Sequence, residues 1–160
     1  MILSSAEQIR EYTEKGFWGR ETISDLFRKH VQNKPGAMAL VDPPNRAELV
    51  SGNPERLTYG EAGAMADKLA NAWVKKGIGK DDIVLVQLPN IVELVLVYLA
   101  AARIGAIVTP VPVQYRTHEL KQVVALTEPK AYITAAHLHG FALLDMALGM
   151  KESMPSLMCM

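Results

Sequence analysis

Residues 85–120, LVQLPNIVELVLVYLAAARIGAIVTPVPVQYRTHEL, decide the fold. Ile83 to Val86 form a short apolar run that closes at Leu88-Pro89-Asn90. A helix-length stretch, 91–104, follows and stops at Gly105, and a second apolar run leads into Pro110-Val111-Pro112. Strand, turn, helix and strand in that order make a βαβ unit, whose strands lie parallel because the helix supplies the crossover. The helix is apolar nearly all round, which predicts cover on both of its sides.

The same alternation extends outward. After the opening stretch, Thr117 is placed to cap a helix with Leu120, Val123, Val124 and Thr127 at helical spacing, ended by Pro129-Lys130. Ala131 to Thr134 reads as another strand, a last helix is expected over roughly 137–152, and a further strand begins at the very end of the chain. Towards the N-terminus, Thr58 and Glu61 make a T-x-x-E capping box for a helix with Ala62, Met65, Ala66, Leu69 and Trp73 on one face. Gly77 stands where a left-handed C-cap belongs. Arg56 to Tyr59 and Met38 to Val41 read as a short strand pair around a long loop with turn clusters at Asp42-Pro43-Pro44-Asn45 and Ser51-Gly52-Asn53-Pro54. Thr22 and Asp25 open a helix whose apolar face is Ile23, Leu26, Phe27 and His30/Val31. Ser5 and Gln8 open a shorter one ending at Gly16, followed by the apolar anchor Phe17-Trp18-Gly19. The class is α/β: one mostly parallel sheet with helices on both faces, plus a short N-terminal strand pair.

Composition narrows the function. Hydrophobic residues are 49% and charged ones 21%, so a packed core is expected rather than disorder. Seventeen acidic side chains balance seventeen basic ones, which argues against nucleic acid as the main partner. The lone Cys159 has no partner for an internal disulfide, the N-terminus shows no secretory leader, and the longest apolar run between Glu93 and Arg103 is too short to span a bilayer. A cytoplasmic setting is expected.

The wording of several stretches is specific. Gln87-Leu88-Pro89-Asn90 with Glu93, then Tyr98-Leu99-Ala100-Ala101 with Arg103 and Gly105-Ala106-Ile107, then Pro112-Val113 with Tyr115-Arg116 and Glu119-Leu120, resemble the adenylate-forming acyl-CoA ligases. The branch that activates fatty, alicyclic and aromatic carboxylates is the nearest in wording, and Tyr12 to Thr22 resembles its N-terminal lead-in. The resemblance covers about Tyr12 to Leu157, with one departure at Asp81-Asp82, where the family usually shows Gly-Asp. It implies a lead-in over residues 1–21 and, over 22–160, part of the N-terminal AMP-binding subdomain, stopping before the phosphate loop. In the complete family enzyme a carboxylate, ATP and coenzyme A are consumed, with Mg as the ion that accompanies ATP. The phosphate loop, the nucleotide-binding aspartate and the C-terminal lysine lie further on in the family order. The expectation is a fragment without catalytic, cofactor-binding or metal-binding residues of its own, inactive alone, able to self-associate or to pair with the missing remainder. The alternative is a non-catalytic interaction module, or one subunit of a split enzyme.

Individual residues that could suggest chemistry have plainer explanations. Gly77-Ile78-Gly79-Lys80 follows a helix and precedes a strand, the reverse of a phosphate loop, and reads as a cap and turn. His137 and His139 are two apart, on different faces of the expected helix, whereas helical metal pairs need three or four. His30 and His118 have no neighbouring ligand cluster. Cys159 has no paired histidine, and Asp81-Asp82 reads as a solvated turn. Glu93 is expected to cap its helix through Asn90's backbone. Tyr115-Arg116 stand beyond the end of a parallel strand, where such sheets bind ligands, yet Arg116 is expected to pair with Glu119. Met146, Met150, Met154 and Met158 recur every fourth residue, but Pro155 prevents one continuous face.

Overall fold

The structure, a computed structural model, describes residues 4–153 and 157–159. Helix α1 (Ala6–Glu14) starts where Ser5 Oγ accepts from the Gln8 N–H, and none of its residues is buried. Tyr12 holds the following turn edge-on, with ring centroids 5.9 Å from Phe17 and 5.0 Å from Trp18. In α2 (Ile23–Asn33) the Thr22–Asp25 box closes in both directions. The buried stripe is Ser24, with Phe27 and Val31 half-buried; Ile23 is 72% exposed, so the inward face is rotated from the one the apolar pattern predicts. The reason is α4 (Tyr59–Lys75), whose Gly63 lets α2 approach until a Cβ there would stand 3.0 Å from Val31.

Between these helices, β1 (Met38–Val41) pairs antiparallel with β2 (Arg56–Thr58). The intervening segment is not all loop: it contains the turn of helix α3 (Arg46–Leu49). The Thr58 N–H donates to Glu61 Oε2 at 2.8 Å and the Glu61 N–H donates back to Thr58 Oγ1, so the predicted box opens α4. Replacing Thr58 by Ala is expected to lower stability by about 1 kcal/mol, seen as a lower urea midpoint at unchanged slope.

The parallel unit forms as the sequence predicts. Strand β3 (Ile83–Gln87) leads through α5 (Val92–Ile104) to β4 (Ile107–Pro110), and α6 (Thr117–Thr127) returns the chain to β5 (Ala131–Thr134). With β8 (Met158–Cys159) the sheet order is β4-β3-β5-β8, every pair parallel. Alternate residues feed two cores. Val84, Val86, Ala131 and Ile133 pack with Trp73 of α4 and with Val97, Ala100 and Ala101 of α5. Leu85 and Tyr132 pack on the opposite face with Leu120 and Val124 of α6.

Three further expectations change. Helix α5 is not fully covered: Val95 and Tyr98 are 39% and 43% exposed, a strip that α4 and the sheet leave open. The cap of α6 is Arg116 rather than Thr117, with Glu119 accepting from its N–H. Most importantly, 137–152 is not one helix. His137–Leu138 (β6) and Phe141–Ala142 (β7) form a hairpin, and only then does α7 (Leu143–Ser153) begin. His139 and Gly140 both take positive φ, 46° and 79°, as a two-residue turn matched to strand twist requires. In α7, Met150 is 1% exposed and belongs to the core beneath the sheet, while Met154 lies outside the described residues.

Candidate functional site

Strand β3 stands between β4 and β5. The chain leaves β3 towards one neighbour and returns to the other, so the loops after β3 and β5 diverge and open a crevice at the carboxyl ends of the strands. A cavity of about 510 Å³ lies there. Leu88 and Ile91 after β3, Ile133 and Ala135 at the end of β5, and Trp73 and Leu96 from the helices are among its lining residues. Arg46 and Glu93 stand at its edge.

These two belong to a buried ionic network that fastens the α3 segment over the crevice. Arg46 Nη1 donates to Asp42 Oδ2 at 2.6 Å and to Glu93 Oε2 at 2.8 Å, and Nη2 donates to Glu93 Oε1 at 2.5 Å. Asp42 also accepts from the N–H of Glu55 at 2.9 Å and, through Oδ1, from that of Val92 at 2.8 Å. Asp42 and Arg46 are 5% and 6% exposed, so both charges are sustained by these bonds rather than by water. Burial pushes the Asp42 carboxyl up, but the Glu55 and Val92 N–H groups and the Arg46 guanidinium outweigh it and hold it below its ordinary value. The hydrogen bonds that Arg46 donates to Glu93, against the opposing pull of burial and aided by Asp42, raise the Arg46 guanidinium.

Glu93 therefore has another task than the expected one. The helix N-cap is Ile91, not Asn90, and no side chain of its own caps it. Asp42, fifty residues away in sequence, serves the first free N–H of α5, which leaves Glu93 to Arg46. Neither Asp42 nor Arg46 stands out in the sequence; the only local trace is their i, i+4 spacing beside the two prolines.

A consequence follows for pH. A group whose folded pKa is depressed contributes stability that is complete above its unfolded pKa and lost as pH falls through the folded one. For Asp42 the loss should begin as pH drops below its ordinary value of 3.8. Asp42→Asn should flatten that part of the acid limb; thermal melts across pH 2–6 would test it, and an unchanged limb would count against it.

A second network fixes the loop after β4. The fully buried Gln87 donates through Nε2 to the carbonyls of Pro112 and Tyr115, each at 3.0 Å, and accepts from the Tyr132 hydroxyl. Arg116 completes it, donating to the Val113 and Tyr115 carbonyls at 2.9 Å with its guanidinium 4.1 Å from the Phe141 ring centre. The guanidinium is thus committed to the loop and the hairpin; Glu119 meets only the Arg116 backbone N–H.

Of the remaining residues singled out in the sequence, His137 lines the crevice. The Gly79 N–H donates to Asp82 Oδ2 at 2.7 Å, and Lys130 Nζ reaches the same oxygen at 2.9 Å, so this turn binds its own carboxylate. Lys130 and the Gly79 N–H hold the Asp82 carboxyl below its ordinary value. His30 lies 5.1 Å from the Tyr59 ring, His118 contacts Gln122, and His137 and His139 sit on the hairpin. Cys159 lies in β8, opposite Tyr132. Among the described residues no group of three or more His, Cys, Asp or Glu could hold a metal ion, and no helix is long and apolar enough to cross a membrane.

Comparisons with known proteins agree with this frame. The family model described as AMP-binding enzyme matches residues 27–157. The medium-chain fatty-acid–CoA ligase of Escherichia coli (strain K12) is 27% identical over 98% of the chain, and the 2,3-dihydroxybenzoate-AMP ligase of Bacillus subtilis (strain 168) is 32% identical over 94%. The chain spans 26% of the length of each. Among solved structures, apo MbtA of Mycobacterium smegmatis superimposes with a TM-score of 0.75 at 25% identity, covering 98% of the chain and 27% of MbtA.

Proposed function

The chain belongs to the AMP-binding enzyme family, the adenylate-forming ligases, and from that membership we propose that it is the N-terminal part of an ATP-dependent carboxylate–CoA ligase. The observation that carries the proposal is the match to a fatty-acid–CoA ligase along 98% of the chain. The shared wording from Gln87 through Leu120, which builds β3, α5, β4 and the start of α6, supports it. In the complete protein, a carboxylate oxygen of the acid attacks the α-phosphorus of ATP and pyrophosphate leaves. The thiol of coenzyme A then attacks the acyl carbon and AMP departs.

In this reading the magnesium and nucleotide that the chemistry needs are held by other parts of the complete protein. The turn at Gly77–Lys80, where the Gly79 N–H donates to Asp82, supports it. Residues 22–160 therefore contribute framework to an AMP-binding subdomain, preceded by a lead-in over 1–21 whose helix α1 buries nothing. Alone, the chain is inactive. A cytoplasmic location and an acid drawn from the fatty, alicyclic or aromatic classes belong to the same proposal.

The 32% identity to an aryl-AMP ligase favours a second reading, in which the acyl-adenylate is the product. The two separate when the protein carrying this segment is given MgATP and an acid panel with and without coenzyme A. Accumulation of acyl-CoA supports the first; adenylate that coenzyme A does not consume supports the second. The alternative of a non-catalytic module, joining another chain at the β8 edge of the sheet, would follow if that protein formed neither product.

A further inference from the structure

The crevice between the loops after β3 and β5 is apolar over most of its lining but not neutral at its edge. Arg46 and Glu93 are its charged lining residues, His137 lines it as well, and Asp42 lies against Arg46. Both Nη atoms of Arg46 are committed to the two carboxylates, and its Nε is sealed from water and makes no hydrogen bond. One cation against two carboxylates leaves one negative charge uncompensated. Glu93 carries it outward: its side chain is 41% exposed, and each of its oxygens takes only one of the Arg46 bonds. A carboxylate has acceptor capacity for about four such bonds. Among the described residues no lysine and no second arginine lines the cavity.

We infer that this crevice binds a small organic cation, with an apolar ring or short chain lying along Leu88, Leu96 and Ile133 and an ammonium group on the outer oxygens of Glu93. The cavity, about 510 Å³, is of the size that holds small organic ligands. Burial of the ring against the aliphatic lining supplies attraction without direction. The charge-assisted bond to Glu93 supplies the selectivity, because the same carboxylate repels an anionic head group of equal shape. The inference concerns a ligand opposite in charge to a carboxylic acid, and it stands apart from the proposed ligase activity.

The test is calorimetric titration of the intact chain with phenethylamine, phenethyl alcohol and hydrocinnamate, which share a ring and differ in the head. Phenethylamine is expected to bind about tenfold or more tighter than hydrocinnamate, with the alcohol between them. Glu93→Gln should remove the advantage of the amine over the alcohol. Ala72 lines the crevice from the exposed side of α4, so Ala72→Phe should obstruct it and abolish binding while leaving far-ultraviolet circular dichroism unchanged. Should that variant fail to fold, Ser51→Trp on the loop-borne rim obstructs the same space. Hydrocinnamate binding as tightly as the amine, amine binding indifferent to both obstructing variants, or no amine binding up to its solubility limit would each overturn the inference.

Discussion

Replacing Arg46 by Ala is expected to lower the stability of the chain by about 3–5 kcal/mol, the usual cost of removing one partner from a buried ion pair. The size comes from Asp42. At 5% exposure its carboxylate cannot recover hydration, and without the guanidinium its charge rests on two backbone N–H groups alone. Glu93 adds little to the loss, because its side chain is 41% exposed and water replaces the bond. In a chain of 160 residues, such a change lowers the melting temperature by roughly 10 °C. The control is the double replacement Asp42→Asn with Arg46→Met, which removes both charges and should recover part of the loss. If Arg46→Ala alone melted within a degree or two of the parent chain, the network would be ornamental and α3 would be held by packing.

The second large effect is at Trp73. It is 0% exposed and packs where α4 meets α5 and the upper face of the sheet, beside Val84, Val97 and Ala100. Trp73→Ala should cost about 3–5 kcal/mol, since the surrounding helices cannot collapse into the gap while the sheet holds them apart. Its indole Nε1 makes no hydrogen bond, so Trp73→Phe loses carbon contacts but forfeits no polar partner. Phe should therefore retain well over half of what Ala loses, measured by urea unfolding of the two variants side by side. Equal losses would mean that the indole N–H contributes a bond not seen in the fold.

The contrast between these residues shows what a sequence displays. Elements set by neighbours in the chain were legible: the Thr22–Asp25 and Thr58–Glu61 boxes, the left-handed Gly77, the helix stop at Gly105, and the βαβ unit all depend on contacts within one turn or on periodicity. The site's ionic network was not. The Asp42 carboxylate caps a helix fifty residues downstream, and Arg46 reaches Glu93 across a comparable span. Each residue has an innocent local role, as part of a turn or as a helix-start acid, so no pattern separates it from solvated charge. The hairpin at 137–142 failed for another reason. His139-Gly140 is a turn signal of the Asn-Gly kind, but the apolar residues on either side fit a helix just as well. The crevice itself follows from strand order, which depends on which side of β3 the later strands join.

The central claim, that this chain is framework of an adenylate-forming ligase and not its nucleotide site, is tested most directly by carboxylate-dependent pyrophosphate release. The purified chain is assayed with MgATP and an acid panel, next to the longer protein of which it is proposed to be part. The account predicts no release and no MgATP binding heat from the chain alone, and acid-dependent release from the longer protein. Turnover by the isolated chain would contradict it, because residues 1–160 would then hold a phosphate site of their own.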